Sequence, residues 1–555
     1  MVSLLGTGGE HFLALEKQEA GSGQITLISR PGRRIAMPMG DVIRRSAHRF
    51  PNKTALGFGE KSWTYKDLNG RVNALAHSFL QLGLKKGDRV ALLAHNGPVY
   101  FEVYFACAKS GSIFVPINNL LRSAELLQIL NYIEPRFIVF GPEFEEILGP
   151  IRSELKSVET WVCMKEGVSA PLLSYDRLLK EGNSEEPDVA VSDDDIMSIV
   201  LTSGTTGLPK GAMRNHRHIY VNALTGAAEV GLRASDRTLL VFPFYHVTWE
   251  DNLRHILMAN TVLIRKEGSF DAAEVLGTIS RERITICQLV PTMISSLLQL
   301  GNYDSFDLSK LRLIVYAASP MPVELLKKAL KRFPCQFMQL YGQTETGPLT
   351  TLLKPEDHVL EGSPEQLARL ASAGRPVLSY EIRIVDKEGK DLPAGEVGEI
   401  AVRSECMTVG YWNLPNETAK TIRGGWLYTG DYGRIDEEGY VYIVDRKNDM
   451  IISGAKNIYP REIEEVLYRH PAVLEATVIG VPDEHWGESV KALIVLKEGM
   501  QASEQEMIAY CKENLASYKK PRYVEFKMEL PKSPTGKILK RVIRDEYWQG
   551  RDRRV

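Results

Sequence analysis

Hydrophobic and polar positions divide the chain into short apolar runs and amphipathic stretches. Residues 40–50 read as a helix, and Ser62-Trp63-Thr64-Tyr65 as a short strand ahead of a helix over 67–81. Residues 88–94 form an apolar, partly alternating run closed by His95-Asn96-Gly97, a strand entering a loop. A helix over 99–109 and a second apolar run, Ser112-Ile113-Phe114-Val115, follow. Strands alternating with helices at this interval predict parallel βαβ units with both sheet faces covered.

The rhythm breaks at residues 181–187, a polar surface connection, and resumes at Asp195. Residues 196–201 are nearly continuous apolar sequence, as a buried strand is, and run straight into 202–211. Strand–helix alternation then fills 238–340. Residues 380–444 differ: short strands over 381–385, 399–402 and 440–444, punctuated by glycine, predict an antiparallel or barrel-like unit. Five polar residues, Asp445-Arg446-Lys447-Asn448-Asp449, lie between the apolar strands 440–444 and 450–452 and read as a hinge. The last ~105 residues have an ordinary small-domain size. Strands over 477–481, 490–496 and 523–526 alternate there with helices. Pro460 in a first helical turn, followed by Glu462, Glu464 and Glu465, suits a helix N-terminus. Ser503 and Glu506 make a capping box. The expected fold class is α/β: an N-terminal arm (1–35), a large domain of two βαβ-type subdomains plus a barrel-like β subdomain (36–444), the hinge (445–449), and a small mobile α+β domain (450–555).

Composition narrows the function class. A chain of 555 residues exceeds one hydrophobic core. With 68 basic against 70 acidic residues there is no single-sign field to hold a nucleic acid or an anionic membrane. Cys107, Cys163, Cys287, Cys335, Cys406 and Cys511 are scattered, with no CxxC pair and no His cluster beside them, as expected of reduced thiols in a cytoplasmic protein rather than a zinc site. The apolar stretch 12–15 is broken by Glu16 and Lys17, too short for a secretory signal. No run approaches the ~18–20 apolar residues of a membrane-spanning helix.

The strongest chemical signal is Thr202-Ser203-Gly204-Thr205-Thr206-Gly207-Leu208-Pro209-Lys210-Gly211. Glycines free backbone amides to face an anion, hydroxyls add donors, and Lys210 adds a point charge. Placed after a buried strand, such a loop holds phosphate. It is not a Walker A motif, because Gly rather than Ser or Thr follows the lysine and the glycine spacing differs.

This loop resembles the phosphate-binding signature of the adenylate-forming superfamily: acyl-CoA synthetases, peptide-synthetase adenylation domains and beetle luciferases. Further motifs follow in the family's order. Phe242-Pro243-Phe244-Tyr245-His246 resembles the aromatic–His motif bordering the acyl pocket. Gln339-Leu340-Tyr341-Gly342-Gln343-Thr344-Glu345, Trp426-Leu427-Tyr428-Thr429-Gly430-Asp431, Asp445-Arg446 with Ile451-Ile452-Ser453-Gly454, and Pro531-Lys532-Ser533-Pro534-Thr535-Gly536-Lys537 complete the set. The match covers roughly residues 40–545.

The resemblance implies ATP, Mg²⁺ and coenzyme A as small-molecule partners beside a carboxylic acid, in an AMP-forming acyl-CoA synthetase. A homodimer is compatible with it. It implies that residues 202–210 take the β- and γ-phosphates, that Glu345 holds Mg²⁺, and that Thr344 contacts the α-phosphate. Tyr341 would stack on adenine, the Ala318-Ser319-Pro320 backbone would line the base, and Asp431 would accept the ribose hydroxyls near Ile443 and Arg446. Leu340, Gly342 and Gln343 belong to the same nucleotide motif. Lys537 would stabilise charge on both the α-phosphate and the attacking carboxylate, and His246 is a further catalytic candidate. Rotation about Asn448 would then bring coenzyme A in, along a tunnel bordered by Gly454. Trp486, Tyr518 and Lys520 match positions that hold the nucleotide end of that thiol.

Specificity is expected between His246 and the tyrosine–glutamate motif, with Trp249, Glu250, Gly342 and Gly347 as pocket candidates. If 247–252 is helical, Glu250 faces the pocket and with Trp249 suits a cationic acid such as a betaine; alternatively it pairs with Arg254 at i+4, leaving a fatty, alicyclic or aromatic acid. A carrier-protein-loading adenylation domain, a luciferase-like oxygenase and a non-catalytic nucleotide binder are the rival classes.

Overall fold

The computed structural model describes residues 37–202, 209–446, 448–453, 456–533 and 536–549. Two large mixed sheets carry the first part of the chain. In one of eight strands, Ile196–Thr202, Ile113–Pro116, Arg89–Leu93, Phe137–Phe140, Thr160–Cys163 and Leu172–Ser174 run parallel, with Lys210–Asn215 and Gly410–Tyr411 antiparallel at one edge. In the other, of nine strands, a parallel core from Gln336–Gln343 through Leu313–Tyr316, Ile286–Leu289, Arg237–Leu240 and Thr261–Ile264 to Thr54–Phe58 is flanked by antiparallel edges. The predicted βαβ rhythm is therefore real. Its helices are those expected, among them Tyr65–Gln81, begun by a Thr64–Asp67 capping box, and the almost wholly buried Pro98–Ser110.

The polar connection at 181–187 lies on the surface as expected, yet it is fastened down. Glu186 meets the buried Lys109 ammonium at 2.7 Å, and that ammonium also donates to Asn69 and Asn73. Gly182 lies against helix backbone, where an added Cβ would stand 2.1 Å from the Ala74 carbonyl oxygen.

Residues 380–446 form a five-stranded antiparallel sheet around Gly398–Ser404 and Trp426–Ile435. Among the described pairings its outer strands do not meet, so it is open rather than a closed barrel. Its last strand, Val441–Arg446, runs two residues beyond the predicted 440–444, because Asp445 and Arg446 pair with Tyr432 and Asp431. The polar stretch read as hinge thus begins inside the ladder.

A second five-stranded sheet, built on Val473–Asp483 and Gly487–Leu496, makes the small C-terminal domain with its own core around Ile451, Val478, Ile494 and Met507. Pro460 opens the helix Pro460–Arg469 and Ser503 caps Glu504–Asn514, as predicted. All six cysteines are unpaired. Among the described residues, no helix is long and apolar enough to cross a membrane.

Candidate active site

In folds built on parallel sheets, ligands usually lie beyond the carboxyl ends of the strands. The strand Ile196–Thr202 returns as Lys210–Asn215 with Thr202 opposite Lys210, so these two frame the Gly/Thr loop. Ser203, Gly204, Thr205, Thr206 and Gly207 lie outside the described residues. Lys210 Nζ sits 2.6 Å from Glu417 Oε2 and 5.1 Å from the ring centre of Tyr411. Tyr411 Oη donates to Glu345 Oε1 at 3.0 Å. Burial first, then the neighbouring carboxylate, pushes that phenol far up, so it remains a donor. The backbone carbonyl of Glu345 accepts from Thr408 N at 2.8 Å, and Thr344 beside it is buried.

The expected ribose and adenine residues form one hydrogen-bonded group. Tyr341 Oη and Gln343 Nε2 donate to Asp431 Oδ2 at 2.8 and 2.7 Å, and Arg446 Nε lies 3.3 Å from Asp431 Oδ1. Asp431 is 4% exposed, so its charge needs these partners. Leu340 and Ile443 pack in the apolar cluster behind the group. Ala318, first of Ala318-Ser319-Pro320, has φ of 71°, a left-handed conformation that costs a non-glycine residue on the order of 1 kcal/mol or more. Strain of this kind concentrates where a loop is shaped for a ligand.

The C-terminal domain contributes Lys537. Ser533 N donates to the Lys537 carbonyl at 2.7 Å, and Lys537 N donates back to Ser533 Oγ at 3.1 Å, closing a tight turn. Gly536 in that turn has φ of 74°, and a Cβ there would lie 2.3 Å from Thr292 Oγ1 and 3.2 Å from Val290. The lysine loop therefore lies flush against the large domain. Burial, then Arg446, lowers the Lys537 ammonium to about 8, with Asp431 and Asp449 acting the other way. Lys537 in turn helps burial push His246 down to about 4. His246 is thus a neutral imidazole at pH 7, and it caps the short helix Val247–Asp251 through Nδ1. Lys537, His246, Asp431 and Arg446 share one electrostatic environment although they come from opposite ends of the chain.

The substrate side differs from expectation. Segment 247–251 is helical, but Glu250 does not pair with Arg254, nor is its charge free for a cationic acid. It is 4% exposed, accepts from Ser198 Oγ at 2.7 Å, and ion-pairs from its helix with the fully buried Arg214 of the strand Lys210–Asn215. Arg254 turns to Asp251 instead, at 2.9 Å. Trp249 packs among Tyr100, Phe101, Tyr104, Phe114 and Phe244, so its ring is a core element. Gly342 and Gly347 face protein: a Cβ would meet the Pro348 carbonyl oxygen at 2.2 Å and Tyr380 Oη at 2.4 Å respectively.

The coenzyme A candidates are dispersed. Gly454 lies outside the described residues. Trp486 and Tyr518 are exposed, the first stacked edge-on with His485 and the second 4.4 Å from Lys456 Nζ; Lys520 is half-buried. At the pivot candidate, Arg544 Nη1 donates at 3.0 Å to both the Asn448 carbonyl and Asp449 Oδ1. Tyr411, Glu417, Arg214 and Arg461 escaped sequence reasoning. The first two stand in Gly410-Tyr411-Trp412-Asn413-Leu414-Pro415-Asn416-Glu417, where an aromatic pair before a Pro-initiated helix was a usable signal.

Comparison with known proteins identifies the class. Residues 43–412 match the AMP-binding enzyme family, and residues 462–537 match the AMP-binding enzyme C-terminal domain. The chain belongs to this family and is an AMP-forming acid–thiol ligase. It is 36% identical to a fatty acid–[acyl-carrier-protein] ligase of Streptomyces coeruleorubidus over 89% of this chain and 93% of the relative. It is 35% identical to a feruloyl-CoA synthase of an Amycolatopsis species over 91% and 98%, and 36% identical to a long-chain-fatty-acid–CoA ligase of Mycobacterium tuberculosis over 87% and 93%. Among solved structures, an anthranilate CoA ligase in complex with anthranoyl-AMP superposes with a TM-score of 0.85 at 30% identity, covering 93% of this chain and 98% of that one.

Proposed function

We propose that the protein condenses an apolar-bodied carboxylic acid with ATP, releasing pyrophosphate, and transfers the acyl group from the resulting acyl-AMP to coenzyme A, releasing AMP. The observation that carries this reading is the seat of Lys537: its loop presses on Val290 and Thr292, and its ammonium shares a field with His246, Asp431 and Arg446. Attack of a carboxylate on a phosphate ester brings two anions together, so a fixed positive charge at that point lowers the barrier most. Asp431 would hold the ribose, Tyr341 and the strained Ala318 turn the adenine, Thr344 the α-phosphate, and Thr202 and Lys210 the distal phosphates. Neutral His246 would border the acyl group without adding a charge of its own.

Glu345 offers a hard carboxylate that suits Mg²⁺, which usually keeps phosphate and water as its other ligands and would offset negative charge on the triphosphate. In the second step the thiolate of coenzyme A attacks the acyl carbonyl carbon, the mixed anhydride breaks, and AMP leaves with the electron pair. Turning the C-terminal domain about Asn448 would withdraw Lys537 first.

A fatty, alicyclic or aromatic acid is favoured over a betaine. Arg214 neutralises Glu250, and Trp249 is committed to the core, so neither is left for a cation. The relatives named for ferulate and long-chain fatty acids agree. The test is pyrophosphate release across a panel of acids, with and without coenzyme A. Release with apolar acids, accelerated by the thiol, supports the reading. Acceleration only by an acyl carrier protein would move the acceptor, and release with no acid at all would refute it.

A further inference from the structure

Segment 408–421 ties the phosphate side of the site together, and nothing above gives it a task. Thr408 Oγ1 donates to Met213 O at 2.7 Å, Gly410–Tyr411 pair with Ala212 and Met213, and Trp412 N donates to Gly211 O at 2.8 Å. The strand that begins at Lys210 is thus held along its length by this segment. Its side chains then bridge the two charged residues assigned to the triphosphate. Tyr411, 7% exposed, points its hydroxyl at Glu345 and its ring face toward Lys210. Glu417 takes Lys210 on Oε2 at 2.6 Å and Lys420 on Oε1 at 2.7 Å. The result is a continuous relay Lys420–Glu417–Lys210–Tyr411–Glu345 that runs from solvent into the site.

We infer that Glu417 is a stand-in for nucleotide phosphate, holding Lys210 in its working position until ATP displaces it, and that Tyr411 aims the Glu345 carboxylate. This deepens the reading of Lys210 and Glu345 as triphosphate and Mg²⁺ residues and rests on it. Both are positioning residues. The physical case is one of competition. A carboxylate at ion-pair distance fixes a long, flexible side chain whose ordering would otherwise cost free energy when ATP binds. Its charge must be displaced by phosphate, which sets back affinity and eases pyrophosphate departure. Lys420, largely exposed, already holds the other oxygen of Glu417, so the carboxylate keeps a partner when phosphate takes its place at Lys210.

The competition has a signature that a merely structural contact lacks. Calorimetry with MgATP and with AMP, on the isosteric variant Glu417→Gln, separates the two. The variant is expected to bind MgATP more tightly, roughly threefold or more, since the competing anion is gone. AMP lacks the phosphates that Lys210 reaches, so its affinity should stay within error. In a Lys210→Ala background the Glu417→Gln change should have no effect on MgATP. Tyr411→Phe should raise the Mg²⁺ concentration for half-maximal pyrophosphate exchange, with AMP affinity unchanged. Equal weakening of ATP and AMP by Glu417→Gln, or persistence of its effect without Lys210, would overturn the competition; unaltered Mg²⁺ dependence in Tyr411→Phe would overturn the aiming role. A wild type without acid-dependent pyrophosphate exchange would instead sink the synthetase reading, whereas an active wild type with an unresponsive Glu417→Gln would sink this inference alone.

Discussion

Single residues carry the chemistry through their protonation states. Lys537 is lowered to about 8, chiefly because burial penalises its charged form. The charged form is the one the proposed adenylation step needs. It predominates below about 8 and is lost above it, so the adenylation rate of the free enzyme should hold near neutrality and fall as pH rises through that value. Bound anions favour the ammonium, and saturating ATP should move this limb upward. Stopped-flow pyrophosphate release between pH 6 and 10 would check both the sign and the movement. Glu345→Gln removes the anionic oxygen while keeping shape. Its expected outcome is a higher Mg²⁺ requirement with thioester formation from supplied acyl-AMP retained, measurable by metal titration of each half-reaction. The Arg214–Glu250 pair behaves differently, as a buried pair joining the helix Val247–Asp251 to the strand Lys210–Asn215. Glu250→Gln leaves a buried guanidinium uncompensated and should cost about 3–5 kcal/mol, whereas Arg214→Met with Glu250→Leu should recover most of that loss in urea unfolding.

Among the elements, the approach to Lys537 is exacting at Gly536. Gly536 combines φ of 74° with a Cβ position already occupied by Thr292 Oγ1. Gly536→Ala should therefore lift the lysine off the large domain and slow adenylation by at least about tenfold, a cost of 1–3 kcal/mol in backbone strain alone giving that order. Thioester formation from supplied adenylate should be spared. The regular elements were legible because their signals are local: the apolar run before the phosphate loop, the capping box at Ser503, the proline at the start of Pro460–Arg469. The end of the strand Val441–Arg446 was not, because Asp445 and Arg446 are polar and enter the ladder through pairing with a distant strand. Glu250 was misread for a related reason. Helical spacing offers Arg254 as its partner, and only the packing of this helix against a distant strand brings Arg214. Tyr411 and Glu417 lie far in sequence from the residues they hold, so no window of sequence contains the relay.

At the scale of the whole molecule, the small C-terminal domain sets Gly536, the neighbour of Lys537, against Thr292 and Val290 of the large domain. The helix Pro460–Arg469 leans on the large domain through Glu465, which accepts from Val323 N at 3.4 Å, and Arg461 Nη1 reaches the Ile443 carbonyl at 2.8 Å. Polar contacts of this kind suit an interface that opens and re-forms, as the proposed two-step reaction requires. The direct measurement is the separation of the half-reactions in Lys537→Ala: acid-dependent pyrophosphate exchange into ATP on one hand, and thioester formation from supplied acyl-AMP and coenzyme A on the other. The expected result is loss of exchange by about 100-fold or more, the scale of removing one transition-state donor, with the second step close to wild type. Equal loss of both, or exchange that survives without the lysine, would contradict it.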